Sequence, residues 1–346
     1  MEMEARSEGH SRCLDAIFVA LNQTSAGEPW YVPTTQLQLA SIQLCVACRR
    51  SATFQLTIDD RTPRQLLAHA HAEPPALYLA DGRCLSSRVP RLRARFVAWR
   101  RRSCEELEKP IYALSEAQLL VFGGGFDESV DSVSWPQGLK LVSFGGDFDQ
   151  SMEGVTWPPG LEEVAFGHNF DQPVDEIAWP ASLLYITLGY CFNYPVEGVL
   201  WPPCLQGLRL GNCFNQPIAR VRWPASLRQL FFGHCFDQPV AEVVWPTSLR
   251  VLEFGWNFNQ TLERDWPKSL VQLSLNRGFT HSLHGLGRWM PSLEELELIL
   301  DSDDYVASLA DVEWPASLQR LALPKKLWDE NALAMPQGVE LDVFHC

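Results

Sequence analysis

From residue 119 onward the apolar positions recur in a fixed order. In the stretch LEEVAFGHNFDQPVDEIAWPAS, Leu161, Val164 and Phe166 occupy the first, fourth and sixth places; the following units repeat them as Leu183, Ile186, Leu188, then Leu205, Leu208, Leu210, then Leu227, Leu230, Phe232, then Leu249, Leu252, Phe254. Phe126, Phe148, Phe170, Phe192, Phe214, Phe236 and Phe258 run in phase at a spacing of 22, with Phe279 after 21. Trp135, Trp157, Trp179, Trp201, Trp223 and Trp245 keep the same spacing of 22, and Trp266 follows after 21. Alternation within each Leu-x-Leu stretch predicts one short strand per unit, and the fixed period predicts a solenoid whose strands stack as a parallel sheet about 4.8 Å apart. One coil buries too little to stand alone, so the stacked leucines, phenylalanines and tryptophans must form one continuous core.

The second half of each unit predicts a return path that is not helical. Val155 with Trp157, Ile177 with Trp179, Val199 with Trp201, Val221 with Trp223 and Val243 with Trp245 alternate in period two, and Pro173, Pro195, Pro217 and Pro239 stop a helix. Gly145, Gly167, Gly189, Gly211, Gly233 and Gly255 leave room for a tight turn or a positive φ after the strand. Asp149, Asp171, Asn193, Asn215, Asp237 and Asn259 suit side-chain-to-backbone turns.

Before residue 119 the pattern changes to helical spacing. Leu14, Ile17, Phe18 and Leu21 form one apolar face, GEPWYVP breaks it, and Leu37, Leu39, Ile42, Leu44 and Val46 begin a second. A third helical face, Leu92, Phe96 and Trp99, runs through RVPRLRARFVAWRRR, giving a basic connecting helix over 88–109. Two modules follow: a helical N-terminal one over 11–118 and a solenoid over 119–346 with an irregular C-terminal cap. Charge divides at the same place, with 15 basic and 13 acidic residues through residue 118 against 13 and 29 after it.

A net charge of -14 with a pI near 5.0 argues against a general nucleic-acid binder, because phosphate-backbone affinity needs a basic face. No apolar run approaches the roughly 20 residues that cross a bilayer, and the acidic, polar start is unlike a secretory signal. Ten cysteines without such a signal suggest reduced thiols in the cytoplasm or nucleus. The Arg-rich segment 88–102 also suits a nuclear-import signal or an acidic partner as well as a solvated helix.

The Trp-Pro-x-Ser-Leu, Gly-x-x-Phe and Asn/Asp-Gln-Pro elements recur together, as in FNQPI at 214–218, FNQTL at 258–262 and related copies in the other units. FDQPV itself occurs twice, at 170–174 and 236–240. These elements resemble the Phe-Asn-Ile-Pro (FNIP) repeats, a branch of the leucine-rich repeats, over about 119–325. The resemblance implies a mostly β, curved solenoid with a parallel concave sheet and a role in protein–protein interaction. It also makes Asn169, Cys191, Cys213, Cys235 and Asn257 the inward Asn or Cys of a leucine-rich repeat. Residues 11–58 resemble a degenerate F-box, without its Leu-Pro opening and with a long inter-helix segment. That likeness implies docking of the adaptor subunit of a cullin ubiquitin ligase by Leu14, Ile17, Phe18 and Leu21; the alternative is a helical cap on the first coil.

No catalytic team, metal or cofactor is expected. Cys45-x-x-Cys48 lacks a second pair at zinc spacing, His281 and His284 lack a nucleophile, and GGGFD at 123–127 lacks the Lys-Ser/Thr of a phosphate cradle. The Asp/Asn series suits turns better than calcium. Binding is expected on the outward strand positions, where the framework does not constrain the residue. There Tyr185, Tyr190, Arg209, Phe231, His234, Glu253 and Trp256 supply aromatic rings flanked by opposite charges, the composition of an interaction hot spot for a protein partner.

Overall fold

The computed structural model describes residues 55–58, 76–79, 96–99, 118–122, 125–131, 133, 135–300, 309–331 and 336–344. The chain divides into two compact units, one made of Met1–Glu128 and Ser134–Phe148, the other of Ser129–Val133 and Asp149–Cys346.

In the first unit the strands are β1 (Gln55–Ile58), β2 (Ala76–Leu79), β3 (Phe96–Trp99), β4 (Leu119–Phe122) and β5 (Leu141–Ser143). Each pairs in parallel with the next, Gln55 opposite Ala76, Ala76 opposite Phe96, Phe96 opposite Leu119 and Leu119 opposite Leu141. Strands therefore occur inside the segment expected as a helical module. The basic helix expected over 88–109 has β3 at its centre: Phe, Val and Trp favour extended backbone, and parallel partners on both sides satisfy its hydrogen bonds. The F-box-like part before Gln55, with Leu14, Ile17, Phe18 and Leu21, lies outside the described residues, as do Cys45, Cys48 and the arginines flanking β3.

The second unit is a parallel β-solenoid. Its strands are β6 (Glu163–Ala165), β7 (Tyr185–Thr187), β8 (Gly207–Arg209), β9 (Gln229–Phe231), β10 (Val251–Glu253), β11 (Gln272–Leu275), β12 (Glu295–Leu298), β13 (Arg320–Pro324) and β14 (Glu340–Phe344). Register advances 22 residues per coil from Glu163 through Tyr185, Gly207 and Gln229 to Val251; then Val251 faces Gln272, Gln272 faces Glu295, Glu295 faces Arg320 and Arg320 faces Glu340. Two short helices, α1 (Leu286–Trp289) and α2 (Lys325–Asn331), occur only in these later coils among the described residues.

Each regular coil bends at three backbone turns. In one coil these are Phe192 N–H to Gly189 O at 3.1 Å, Val199 N–H to Val196 O at 3.3 Å and Leu205 N–H to Pro202 O at 3.1 Å. Between the turns the apolar residues point inward. Phe170, Phe192, Phe214, Phe236, Phe258 and Phe279 are fully buried and stack face to face, with successive centroids 6.3, 6.1, 6.0, 6.1 and 6.4 Å apart. Burying one such ring is worth about 1.5–3 kcal/mol, and stacking adds about 0.5–1.5 kcal/mol.

Three further devices join one coil to the next, and the sequence expectation needed correction on one of them. Among the described glycines only Gly154 and Gly338 have positive φ, so of the two expectations for Gly189, Gly211, Gly233 and Gly255 it is the tight turn that forms, as in Phe192 N–H to Gly189 O. They are glycine because a Cβ there would sit 2.3, 2.0, 2.0 and 1.8 Å from the carbonyl oxygen of the glycine one coil earlier. The Asp/Asn side chains do not close their own turns. Asp149 Oδ1 accepts from Asp171 N–H, Asp171 from Asn193, Asn193 from Asn215, Asn215 from Asp237 and Asp237 from Asn259, all at 2.9–3.0 Å. Local turns leave these N–H groups facing the neighbouring coil, where the side-chain oxygen reaches them. The serine of Trp-Pro-x-Ser-Leu completes the set, Ser182 Oγ donating to Leu161 O and Ser248 Oγ to Leu227 O.

Candidate functional site

The outward positions of β7–β10 carry the side chains that the framework leaves free. Register places Thr187, Arg209, Phe231 and Glu253 in one row across adjacent strands, and Ser274 beside Glu253. In this row the Arg209 guanidinium lies over the Phe231 ring, 4.3 Å from its centroid. Such a pair is worth about 0.5–1 kcal/mol at an exposed site and fixes both side chains. Burial pushes the Glu253 carboxyl above its ordinary pKa; Arg209 opposes this and Glu297 adds to it. The neighbouring Ser274 hydroxyl is turned to Glu297 Oε2, at 3.0 Å.

Tyr185 stands in the neighbouring row, between Glu163 and Gly207. Gly207, opposite it, leaves the space its ring uses, because a Cβ on Gly207 would meet Tyr185 Cδ1 at 2.7 Å. The tyrosine thus lies half-buried across β8.

A second set of outward side chains follows the glycine of each coil. His168 stacks on Tyr190 at 4.5 Å between centroids, and His234 stacks on Trp256 at 4.2 Å. Arg277 covers Trp256 as well, its guanidinium 5.3 Å from the ring centroid. Tyr190 and Trp256 nevertheless remain 44% and 46% exposed. The faces of Trp256 are occupied, so what it can offer a partner is its edge. Burial lowers the pKa of His234, favouring the neutral imidazole beside the indole.

All seven expected binding residues thus stand on β7–β10 or just after them. The structure joins Arg209 to Phe231 and His234 to Trp256, relates Glu253 to Arg209 through charge, and keeps Tyr185 and Tyr190 in separate settings. Sequence reasoning did not single out Arg277. The signal was there: the period shortens from 22 to 21 at this coil, which puts Arg277 in the place of Trp256 one coil later.

Other expectations about chemistry resolve differently. Asn169 and Asn257 are exposed and Cys191, Cys213 and Cys235 are half-buried, so this place does not face inward as expected. The turn at each glycine sends the following phenylalanine inside and the preceding residue out. One oxygen of each Asp or Asn weighed as a calcium ligand accepts a backbone N–H of the next coil. His281 Nε2 is paired with Asn259 O at 3.0 Å and His284 Nδ1 with Asp311 O at 2.7 Å. Among the described residues no group of three or more His, Cys, Asp or Glu is placed to hold a metal ion, and no helix is long and apolar enough to cross a membrane.

The FNIP Repeat family model matches residues 148–191 and 236–281, and the chain carries FNIP repeats there. No curated protein matches the chain. Among solved structures it is similar to CroV588, a circular LRR protein, at 23% identity and a TM-score of 0.54 over 78% of this chain. The chain spans 42% of that protein's length, and the likeness shows the leucine-rich-repeat fold. An internalin of Listeria monocytogenes matches at 13% identity with a TM-score of 0.37, over 68% of this chain and 71% of its own.

Proposed function

We propose that this protein is a non-enzymatic recognition module that takes a protein partner on the exposed face of its sheet, between β7 and β10. The observation that carries the reading is the prior fixing of its aromatic side chains: Phe231 under Arg209, and Trp256 between His234 and Arg277. A partner that docks against rings already held in place loses less conformational freedom on binding. Aromatic and arginine side chains at the centre of a patch are also the types that carry binding energy at protein interfaces.

The test is quantitative affinity capture from cells with the wild-type chain and with Tyr190→Ala/Phe231→Ala/Trp256→Ala. These three side chains are half-buried or exposed, so the variant keeps the melting temperature to within a few degrees. Partners retained by the wild type fall at least tenfold with the variant. Equal recovery by a well-folded variant places binding on another surface.

A further inference from the structure

Next to this face, three consecutive coils carry a thiol at one place. Cys191, Cys213 and Cys235 are free and half-buried. Each donates its backbone N–H to the coil before it: Cys191 to His168 O at 2.9 Å, Cys213 to Tyr190 O at 2.9 Å and Cys235 to Asn212 O at 2.8 Å. That shared register sets neighbouring cysteines one coil apart, about 4.8 Å for parallel chains. Asn169 and Asn257 hold the same place in the coils on either side, so the thiols are confined to three coils.

The thiols interact. Burial pushes the Cys191 and Cys213 thiols above their usual pKa, Asp171 raises both further, and Cys213 feels both Cys191 and Cys235. Thiols of this kind stay protonated at neutral pH and react slowly as nucleophiles, which argues against a peroxide sensor. A soft metal ion binds thiolates tightly enough to displace such protons. Tetrahedral zinc needs four ligands, and this surface does not gather them. Two sulfurs on adjacent coils remain. Metal–sulfur bonds of about 2.3 Å on opposite sides of one ion span about 4.6 Å, close to the coil spacing of about 4.8 Å.

We propose that Cys213 and Cys191 form a two-coordinate site for a soft monovalent cation of the Cu(I) type, with Cys235 as the other available partner of Cys213. On binding, two S–H bonds break and two metal–sulfur bonds form. Two protons leave to solvent, no electron is transferred, and the bis-thiolate with its single positive ion carries a net charge of −1. The ion would tie two coils together at the edge of the sheet.

The experiment uses the full, reduced chain without oxygen, with Cu(I) buffered by an excess of a coloured chelator so that each thiol site fills by its own affinity. Alkylation with a maleimide, mapped by peptide mass spectrometry, then reads each cysteine. Labelling of Cys213 and Cys191 slows at least tenfold with Cu(I), while the exposed Cys204 labels at an unchanged rate. In Cys213→Ser, Cys191 returns to its metal-free rate. In Cys191→Ser/Cys235→Ser, Cys213 does the same. Unchanged labelling of Cys213 across the Cu(I) range overturns the site, and so does persistent protection of Cys191 in Cys213→Ser.

Discussion

The coils through β10 and those from β11 onward are built from the same unit and held together differently. From β7 to β10 each coil repeats the same joints: a phenylalanine stack, a glycine pressed against the carbonyl of the coil before it, and an Asp/Asn oxygen on the backbone N–H of the coil after it. From β11 the register steps become irregular, and Asn276 replaces the glycine and donates through Nδ2 to Phe254 O at 2.7 Å. Beyond Phe279 the joints include exposed ion pairs, Arg288 with Glu313 at 2.6 Å and Arg320 with Asp342 at 2.9 Å. Exposed pairs contribute little, so stability is concentrated in the regular coils. Those coils can even tolerate a defect. The indole N–H groups of Trp179, Trp201, Trp223 and Trp245 are buried without a hydrogen-bond partner, whereas Trp266 Nε1 donates to Leu262 O at 3.0 Å. Each unpaired donor costs about 1–3 kcal/mol, which the buried and stacked rings must offset.

Breaking the stack gives the largest effect. Phe214→Ala removes a fully buried ring with a neighbour on each side and lowers unfolding free energy by about 3–5 kcal/mol, read by chemical denaturation. A loss below about 1 kcal/mol would mean that the regular coils do not depend on their core stack.

The glycine joint comes next. In Gly211→Ala the new Cβ meets Gly189 O at 2.0 Å, and because that atom is backbone the coils must separate, at a cost of about 1–3 kcal/mol or somewhat more. Gly198 is the internal control, since a Cβ there finds nothing nearer than Asp175 Cβ at 3.8 Å. Gly198→Ala leaves the denaturation midpoint nearly unchanged, and equal midpoints for the two variants would contradict the close approach.

The smallest contrast sets a half-buried ladder against a surface pair. Asn215 Oδ1 accepts from Asp237 N–H at 3.0 Å and from Gln238 Nε2 at 2.9 Å, so Asn215→Ala orphans both donors and costs about 1–2 kcal/mol. Arg320→Ala, in the later coils, removes an exposed pair and leaves the melting temperature within error. If Arg320→Ala were the more damaging, the later coils would not be the weaker half.

Much of the solenoid was legible in the sequence because a coil can be stable only if every unit buries the same positions. Phe170, Phe192 and Phe214 share one residue type at one spacing for that reason, and Leu161, Leu183 and Leu205 likewise. At Phe96–Trp99 the helical reading misled because the apolar residues there fit helical spacing as well as a short strand. Phe96–Trp99 is too short for period alone to decide, and only its pairing with β2 and β4 makes it a strand. The outward residues of the candidate site could be named from alternation, but their pairing could not. Arg209 and Phe231, or His234 and Trp256, are 22 residues apart and carry no local sign of contact.

The sequence by itself determined the period, the inward face and the stacking of like residues, since these follow from burial repeated unit by unit. Only the tertiary structure decided why the glycines must be glycine and where the Asp and Asn oxygens bond. Each of those is settled across the gap between coils, by atoms that the chain brings together only after it has wound once around.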